Sequence, residues 1–228
     1  MAVRVSVRLT PAVGRVPAGG TVVAVDVLRA TSVLTVALAH GAGPIVAAAT
    51  PDEAMALRAC HPGALVCGER DGRRLPGFDL GNSPFEYGPA VVAGRTLVFA
   101  STNGSQALRA AVGARRVLPG AFVNATAVLE AVGRDEEIVV ICAGKLGDFS
   151  LEDAAMAGWL AERLAARGAR LDRAAALVRD LAPRDAGDVR RLVQGCAHGR
   201  YLRSLGPDYS RDVEFCAGLD TVGRAFVL

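Results

Sequence analysis

Short apolar runs rich in Val and Ile alternate along this chain with Ala-rich amphipathic stretches, the pattern of a layered α/β protein whose strands are covered on both faces. The pattern predicts strands at Thr21 to Leu28, Ile45 to Ala49, Ala64 to Cys67, Thr96 to Phe99, Arg116 to Leu118 and Glu137 to Cys142. Helices are expected between them. Thr50, Pro51 and Glu53 supply an N-cap, a first-turn proline and a capping-box partner for a helix running toward Cys60. Ser150 and Asp153 repeat that capping logic ahead of a helix ending near Gly168. The stretch from Leu171 to Gly206 has helical periodicity broken at Pro183, which predicts two helices and no strand. The fold expected is a three-layer α/β/α sandwich around a central, largely parallel or mixed sheet. No linker, repeat or low-complexity tract divides residues 1–228, so one domain is expected.

Two segments depart from this rhythm. In "AVDVLRATSV", residues 24 to 33, Asp26 sits inside an apolar run and is followed by Arg29, Thr31 and Ser32. Burial alone has no use for these groups, and an unpaired carboxylate there would be costly. Between Cys67 and Gly88 the chain is dense in Gly, Asp, Asn and Pro, and Phe78, Leu80 and Phe85 within it argue for order. Irregular segments of this length in compact proteins are commonly functional, so an active-site loop is expected.

Composition narrows the chemistry. With 51% hydrophobic residues, 228 residues bury a sizeable core, and a net charge of +3 without a basic stripe argues against a nucleic-acid partner. A small anionic substrate gathered by a few arginines fits better. The five cysteines lack a CxxC pair, which fits a reducing cytoplasm. No apolar run approaches the roughly 20 residues of a membrane helix, and the first 20 residues mix charged and apolar positions unlike a signal peptide. A homodimer is expected only because such assemblies are common.

At the C-terminal end of a strand in an open α/β sheet, Asp26 would face the crevice where such folds bind ligands and could hold Mg²⁺. The alternative is a structural pair between Asp26 and Arg29. Thr31 and Ser32 stand where a strand meets a helix, a junction suited to a phosphate, and Arg29 can grip the same anion; ordinary capping by the two hydroxyls is the competing reading. "FASTNGSQAL" repeats the arrangement, with Ser101, Thr102, Asn103 and Gly104 as a second cradle or as plain turn chemistry. Glu69 and Asp79 are acids able to complete an oxygen-ligand metal site with Asp26. Asn82 and Ser83, ahead of Pro84, bind substrate or cap the next turn. "CAGKLGDFSLED" adds Lys145 for an anion, and Glu152 or Asp153 for a metal or a base. Cys67 and Arg73 have thiol-phosphatase spacing, but Glu69 and Asp71 between them would repel phosphate. His40, His61 and His198 lack partners at close spacing and read as surface or capping groups.

Taken together, "DVLRATS" at 26 to 32, "GERDG" at 68 to 72, "GFDLGNSPFEY" at 77 to 87, "STNGS" at 101 to 105, "CAGKLGDFSLEDAAMAG" at 142 to 158 and "DVEFC" at 212 to 216 resemble the 2-phosphosulfolactate phosphatase family, in family order across nearly the whole chain. The resemblance implies a three-layer α/β fold and Mg²⁺-dependent hydrolysis of 2-phosphosulfolactate to 3-sulfolactate and phosphate, a step toward coenzyme M. Expected roles are Asp26 and Arg29 in catalysis; Asp26, Glu69 and Asp79 at the metal; and Arg29, Thr31, Ser32, Asn82, Ser83, Ser101, Thr102, Asn103 and Gly104 on substrate. Two alternatives stay open: a phosphatase for another small phosphorylated hydroxy acid, and a non-catalytic phosphate or sulfonate-binding protein.

Overall fold

The computed structural model describes residues 3–11, 16 and 19–228; part of the N-terminal stretch read above therefore lies outside the described residues. Its first half runs β1 (Arg4–Arg8), β2 (Thr21–Val25), α1 (Ala30–Ala39), β3 (Ile45–Ala47), α2 (Pro51–Cys60), β4 (Leu65–Arg70), β5 (Arg73–Arg74), α3 (Pro89–Val92), β6 (Leu97–Ala100) and α4 (Gly104–Ala110). The second half adds β7 (Arg116–Gly120), α5 (Ala125–Val132), β8 (Glu137–Cys142), α6 (Leu151–Ala166) and β9 (Arg170–Leu171). Four helices close it: α7 (Arg173–Val178), α8 (Ala186–Gly195), α9 (Ala197–Ser204) and α10 (Pro207–Cys216).

The strands form two sheets where one was expected. A parallel sheet has the order β7-β2-β8-β1-β9, and a second has the order β3-β6-β4-β5, parallel except for the β4–β5 hairpin. Alternate residues explain why the central strands read as unbroken apolar runs. Val23, Val25, Ile138 and Val140 pack with α5, α6 and the C-terminal helices, while Val22, Ala24, Val139 and Ile141 face the α1 and α4 side. Helices on both faces of this sheet give the three-layer α/β/α arrangement. On the second sheet, Leu97 and Phe99 join the α1 core, whereas Val98 and Ala100 pack with Ala54 of α2.

Local chemistry accounts for several element boundaries. Thr50 accepts a hydrogen bond from Glu53 N at 3.1 Å and Glu53 accepts one from Ala49 N at 2.7 Å, as the capping pattern predicts. Ser150 occupies the N-cap of α6, but its side chain makes no capping bond and Asp153 reaches two other segments instead. β1 has no counterpart among the expected strands. Its "RVSVR" alternates, with Val5 and Val7 buried between β8 and β9, the period-2 mark of a half-buried strand. After the break at Pro183 the chain makes two helices rather than one, because Cys196 adopts an extended conformation and its Sγ caps α9 by accepting from Gly199 N at 3.2 Å. The expected loop at 67 to 88 begins as strand: Asp71 and Gly72, both at positive φ, turn β4 into β5, the Asp-Gly hairpin chemistry.

Candidate active site

All three turns singled out for chemistry leave the C-terminal ends of parallel strands, where α/β sheets place their ligands. β2 leads directly into Asp26, β6 into Ser101 and β8 into the Ala143–Gly144 turn, and β4 carries Glu69. Around them lies a cleft of about 250 Å³, whose lining includes Asp26, Glu69, Asn82, Thr102, Lys145, His198 and Tyr201.

The β2 to α1 turn is held by its own hydroxyls. Thr31 Oγ1 accepts from Asp26 N at 2.9 Å and donates to Gly120 O at 2.7 Å, and Ser32 Oγ donates to Val27 O at 2.9 Å. Both side chains are fully buried and neither lines the cleft. What they fix is Asp26, whose Oδ1 accepts from Ala30 N at 3.3 Å. The competing reading of Asp26 paired with Arg29 is replaced by a different pair. Arg29 bonds Asp212 of α10, and its second terminal nitrogen donates to Gly72 O at 2.6 Å, so the guanidinium lines the cleft already anchored.

The β6 to α4 turn is built the same way. Ser101 Oγ is buried and accepts from Ser105 N at 3.0 Å, a structural bond within the turn. Thr102 N donates to Glu69 Oε1 at 2.8 Å, Gly72 N donates to Glu69 Oε2 at 2.7 Å, and Asn103 Oδ1 accepts from Leu146 N at 3.0 Å. Glu69, Thr102 and Asn103 therefore tie three loops around the cleft. Gly104 is not among the cleft-lining residues and packs against the neighbouring turn: a Cβ there would stand 2.6 Å from Asp26 Oδ2 and collide with the Ala30 methyl.

Two further expected site residues, Asp79 and Ser83, also lie outside the cleft lining. Asp79 accepts from Val66 N at 2.9 Å and pairs with Arg58 at 3.4 Å, so it secures β4 and does not line the cleft. Ser83 donates to Asp212 Oδ1 at 2.6 Å and lines a neighbouring groove, which Asn82 shares. Cys67 is buried, and burial pushes its thiol up to about 12, in keeping with setting the thiol-phosphatase spacing aside.

Four groups gained a place that sequence reasoning had not given them. Asp212 entered only through a motif, since its partner Arg29 is 183 residues away. His198 looked isolated, but its Nδ1 lies 3.2 Å from Glu152 Oε1 on α6. Tyr201, one helical turn beyond His198, stacks near its ring and carries Lys145 Nζ 4.4 Å from its own ring centroid. Asp153 accepts from Val27 N at 2.8 Å and Gly144 N at 3.1 Å, locking the β2 and β8 turns together.

The electrostatics follow from packing acids together. Burial, then the charge of Glu69, push Asp26 up to about 7. Asp153 lies well above the usual carboxylate range because of burial and the charges of Asp26 and Glu152. Burial also acts on Glu152, but hydrogen bonds from His198 and the backbone outweigh it and hold that carboxyl below its ordinary value.

A divalent cation is tested by the donors present. Among the described residues no three His, Cys, Asp or Glu side chains form a ready cage. Mg²⁺ keeps several waters and needs only one or two carboxylates, all donors being oxygen. Asp26 and Glu69 supply that pair, and each Glu69 oxygen accepts a single hydrogen bond among those above. Asn82 Oδ1 and Thr102 Oγ1 are buried oxygens without a hydrogen-bond partner, and both residues line the same cleft. The donor set fits.

Carboxylates and cationic side chains gathered in one cleft at the ends of parallel strands define an α/β protein with a charged cleft at that edge. The comparison with known proteins narrows this class. A family model described as 2-phosphosulpholactate phosphatase matches residues 8–227. Proteins named probable 2-phosphosulfolactate phosphatase are similar to this chain: one from Thermotoga petrophila is 38% identical over 88% of this chain and 85% of its own. One from Deinococcus radiodurans is 42% identical over 86% and 82%, and one from Symbiobacterium thermophilum 39% identical over 90% and 89%. The chain belongs to the 2-phosphosulfolactate phosphatase family, whose name describes phosphoric monoester hydrolases.

Proposed function

We propose that this protein hydrolyses the phosphate ester of a small sulfonated hydroxy acid, 2-phosphosulfolactate, with Mg²⁺ held by Asp26 and Glu69. The observation that carries the reading is the meeting of these two carboxylates with Arg29, Lys145 and the unpartnered Asn82 and Thr102 oxygens in one cleft. Bound there, Mg²⁺ would supply positive charge to the oxygens of the transferring phosphoryl group. The chain's own groups do the rest. Arg29, anchored by Asp212 and Gly72, presents a fixed guanidinium to the phosphate, and Lys145 on the Tyr201 ring meets the second anionic end. Leu28, Leu146 and Leu202 in the lining restrict water around the ester.

Phosphate release from 2-phosphosulfolactate and from other phosphorylated hydroxy acids, with Mg²⁺ and with EDTA, tests the reading. Mg²⁺-dependent turnover favouring the sulfonated ester is expected. Faster turnover of a non-sulfonated ester would move the substrate, and anion binding without any turnover would overturn the hydrolase reading. We further propose a cytoplasmic homodimer of the protein, supported by five free cysteines and the general frequency of two-fold assemblies; sedimentation velocity tests the stoichiometry.

A further inference from the structure

We propose that His198 is the general acid that protonates the leaving oxygen of the ester, with Glu152 as the buried group that holds its ring. The proposal rests on the hydrolase reading above and adds to it a residue that neither the chain pattern nor the family motifs single out.

The geometry is specific. Cys196 caps α9 and sets the helix so that His198 lines the same cleft as Asp26 and Glu69. Glu152, only 2% exposed on α6, takes the Nδ1 side of the ring at 3.2 Å. That leaves Nε2 as the ring nitrogen for a group in the cleft, and a carboxylate on Nδ1 fixes both tautomer and ring plane. Tyr201 stacks near the ring and limits its rotation.

With Glu152 accepting at Nδ1, the proton the ring can give to a group in the cleft is the one on Nε2. Glu152 is held below its ordinary value by that contact, in keeping with an ionised partner. Other groups around the pair are Lys145 at Tyr201, Arg29 in the same cleft lining, Cys196 beside Glu152, and Asp26 and Asp153, whose carboxyls feel the Glu152 charge.

A donor is needed because a secondary alkoxide is a poor leaving group. As the bond between phosphorus and the ester oxygen breaks, that oxygen keeps the electron pair and takes the proton from Nε2, leaving the hydroxy acid. The incoming oxygen forms the new bond to phosphorus. Over the cycle one water is consumed: its hydroxyl ends on phosphate and its proton restores Nε2.

The test compares 2-phosphosulfolactate with its analogue carrying sulfur in the bridging position, whose thiolate leaves without help. His198→Asn should lower kcat on the oxygen ester by about 100-fold or more while changing the sulfur ester by less than about fivefold, the range general acids command. Glu152→Gln should show the same asymmetry to a smaller degree, and it carries the comparison if the histidine variant does not fold by thermal melting. Equal losses on both esters, or an unchanged kcat on the oxygen ester, would overturn the role of His198. Failure of the unaltered protein on both esters is a separate result and overturns the hydrolase reading itself.

Discussion

Arg29 and Asp212 form an ion pair between the start of α1 and the middle of α10, with each side chain 3% exposed. Ser83 donates to the other Asp212 oxygen at 2.6 Å and Gly72 O receives a further Arg29 proton, so four distant segments converge on one charge pair. The pair fixes the cationic wall of the cleft.

Removing one partner from such a pair leaves a buried charge without compensation, which destabilises by about 3–5 kcal/mol. Asp212→Ala should fall in that range by urea unfolding, whereas Ser83→Ala, which deletes one hydrogen bond, should lose about 1 kcal/mol. Equal unfolding midpoints for the two variants would show that the pair is not what joins α10 to the site. Asp212→Ala should also lower kcat, since Arg29 would lose its orientation.

Asp26 predicts a conflict between stability and activity. Its ordinary value of 3.8 rises to about 7 in the folded chain without a cation, through burial and then Glu69. Between about pH 4 and pH 7 the folded chain therefore binds more protons than the unfolded one, so this group's contribution declines as pH rises and levels off above 7. Asp26→Asn keeps the acceptor for Ala30 N and removes the charge. In EDTA at pH 8 the variant should be more stable than the unaltered protein by about 1–4 kcal/mol, the size such a shift implies. Near pH 4 the difference should vanish, and phosphate release should be lost throughout. A variant less stable at pH 8 would contradict the assignment of Asp26 as the strained carboxylate.

Gly104 tests how closely the two sheets' turns must meet. Its missing side chain admits both Asp26 Oδ2 and the Ala30 methyl, and the methyl is fixed to the backbone at the first residue of α1. Gly104→Ala should destabilise by about 1–3 kcal/mol through overpacking and lower kcat strongly. Gly77→Ala serves as the comparison, because a Cβ there meets nothing within 4 Å, although its positive φ carries its own strain. Loss of stability without loss of kcat in Gly104→Ala would show that Asp26 need not sit against this glycine.

The chain pattern foretold more of the scaffold than of the site. Strands buried on both faces leave unbroken apolar runs, so β2, β6 and β8 were legible, and Thr50 announced its helix because capping is local. The division into two sheets was hidden, since Leu97 and Phe99 face one core and Val98 and Ala100 another while all four read alike as apolar. Turn chemistry drew attention to Thr31, Ser32 and Ser101, yet small hydroxyls at a strand–helix junction serve backbone closure as readily as ligand binding, and here they close the turns. His198 and Asp212 were illegible for the opposite reason: their partners stand 46 and 183 residues away, and only the assembled fold brings them together.

Glu69 and Asp79 were equal candidates to join Asp26 around a cation, and their hydrogen bonds separate them. Glu69 lines the cleft, and its charge is the strongest neighbouring influence on Asp26; Asp79 is turned to Val66 N and Arg58. A cation that binds only the folded chain stabilises it by about 2.7 kcal/mol at a hundredfold excess over its Kd. Mg²⁺ should therefore raise the melting temperature of the unaltered protein, and of Asp79→Asn by a similar increment even if that variant starts lower from its weakened hold on β4. Glu69→Gln should show little or no increment at the same concentration. Because each increment is measured against the same variant in EDTA, the structural damage of either substitution cancels. A full increment in Glu69→Gln, or its loss in Asp79→Asn, would reverse the assignment of the second carboxylate.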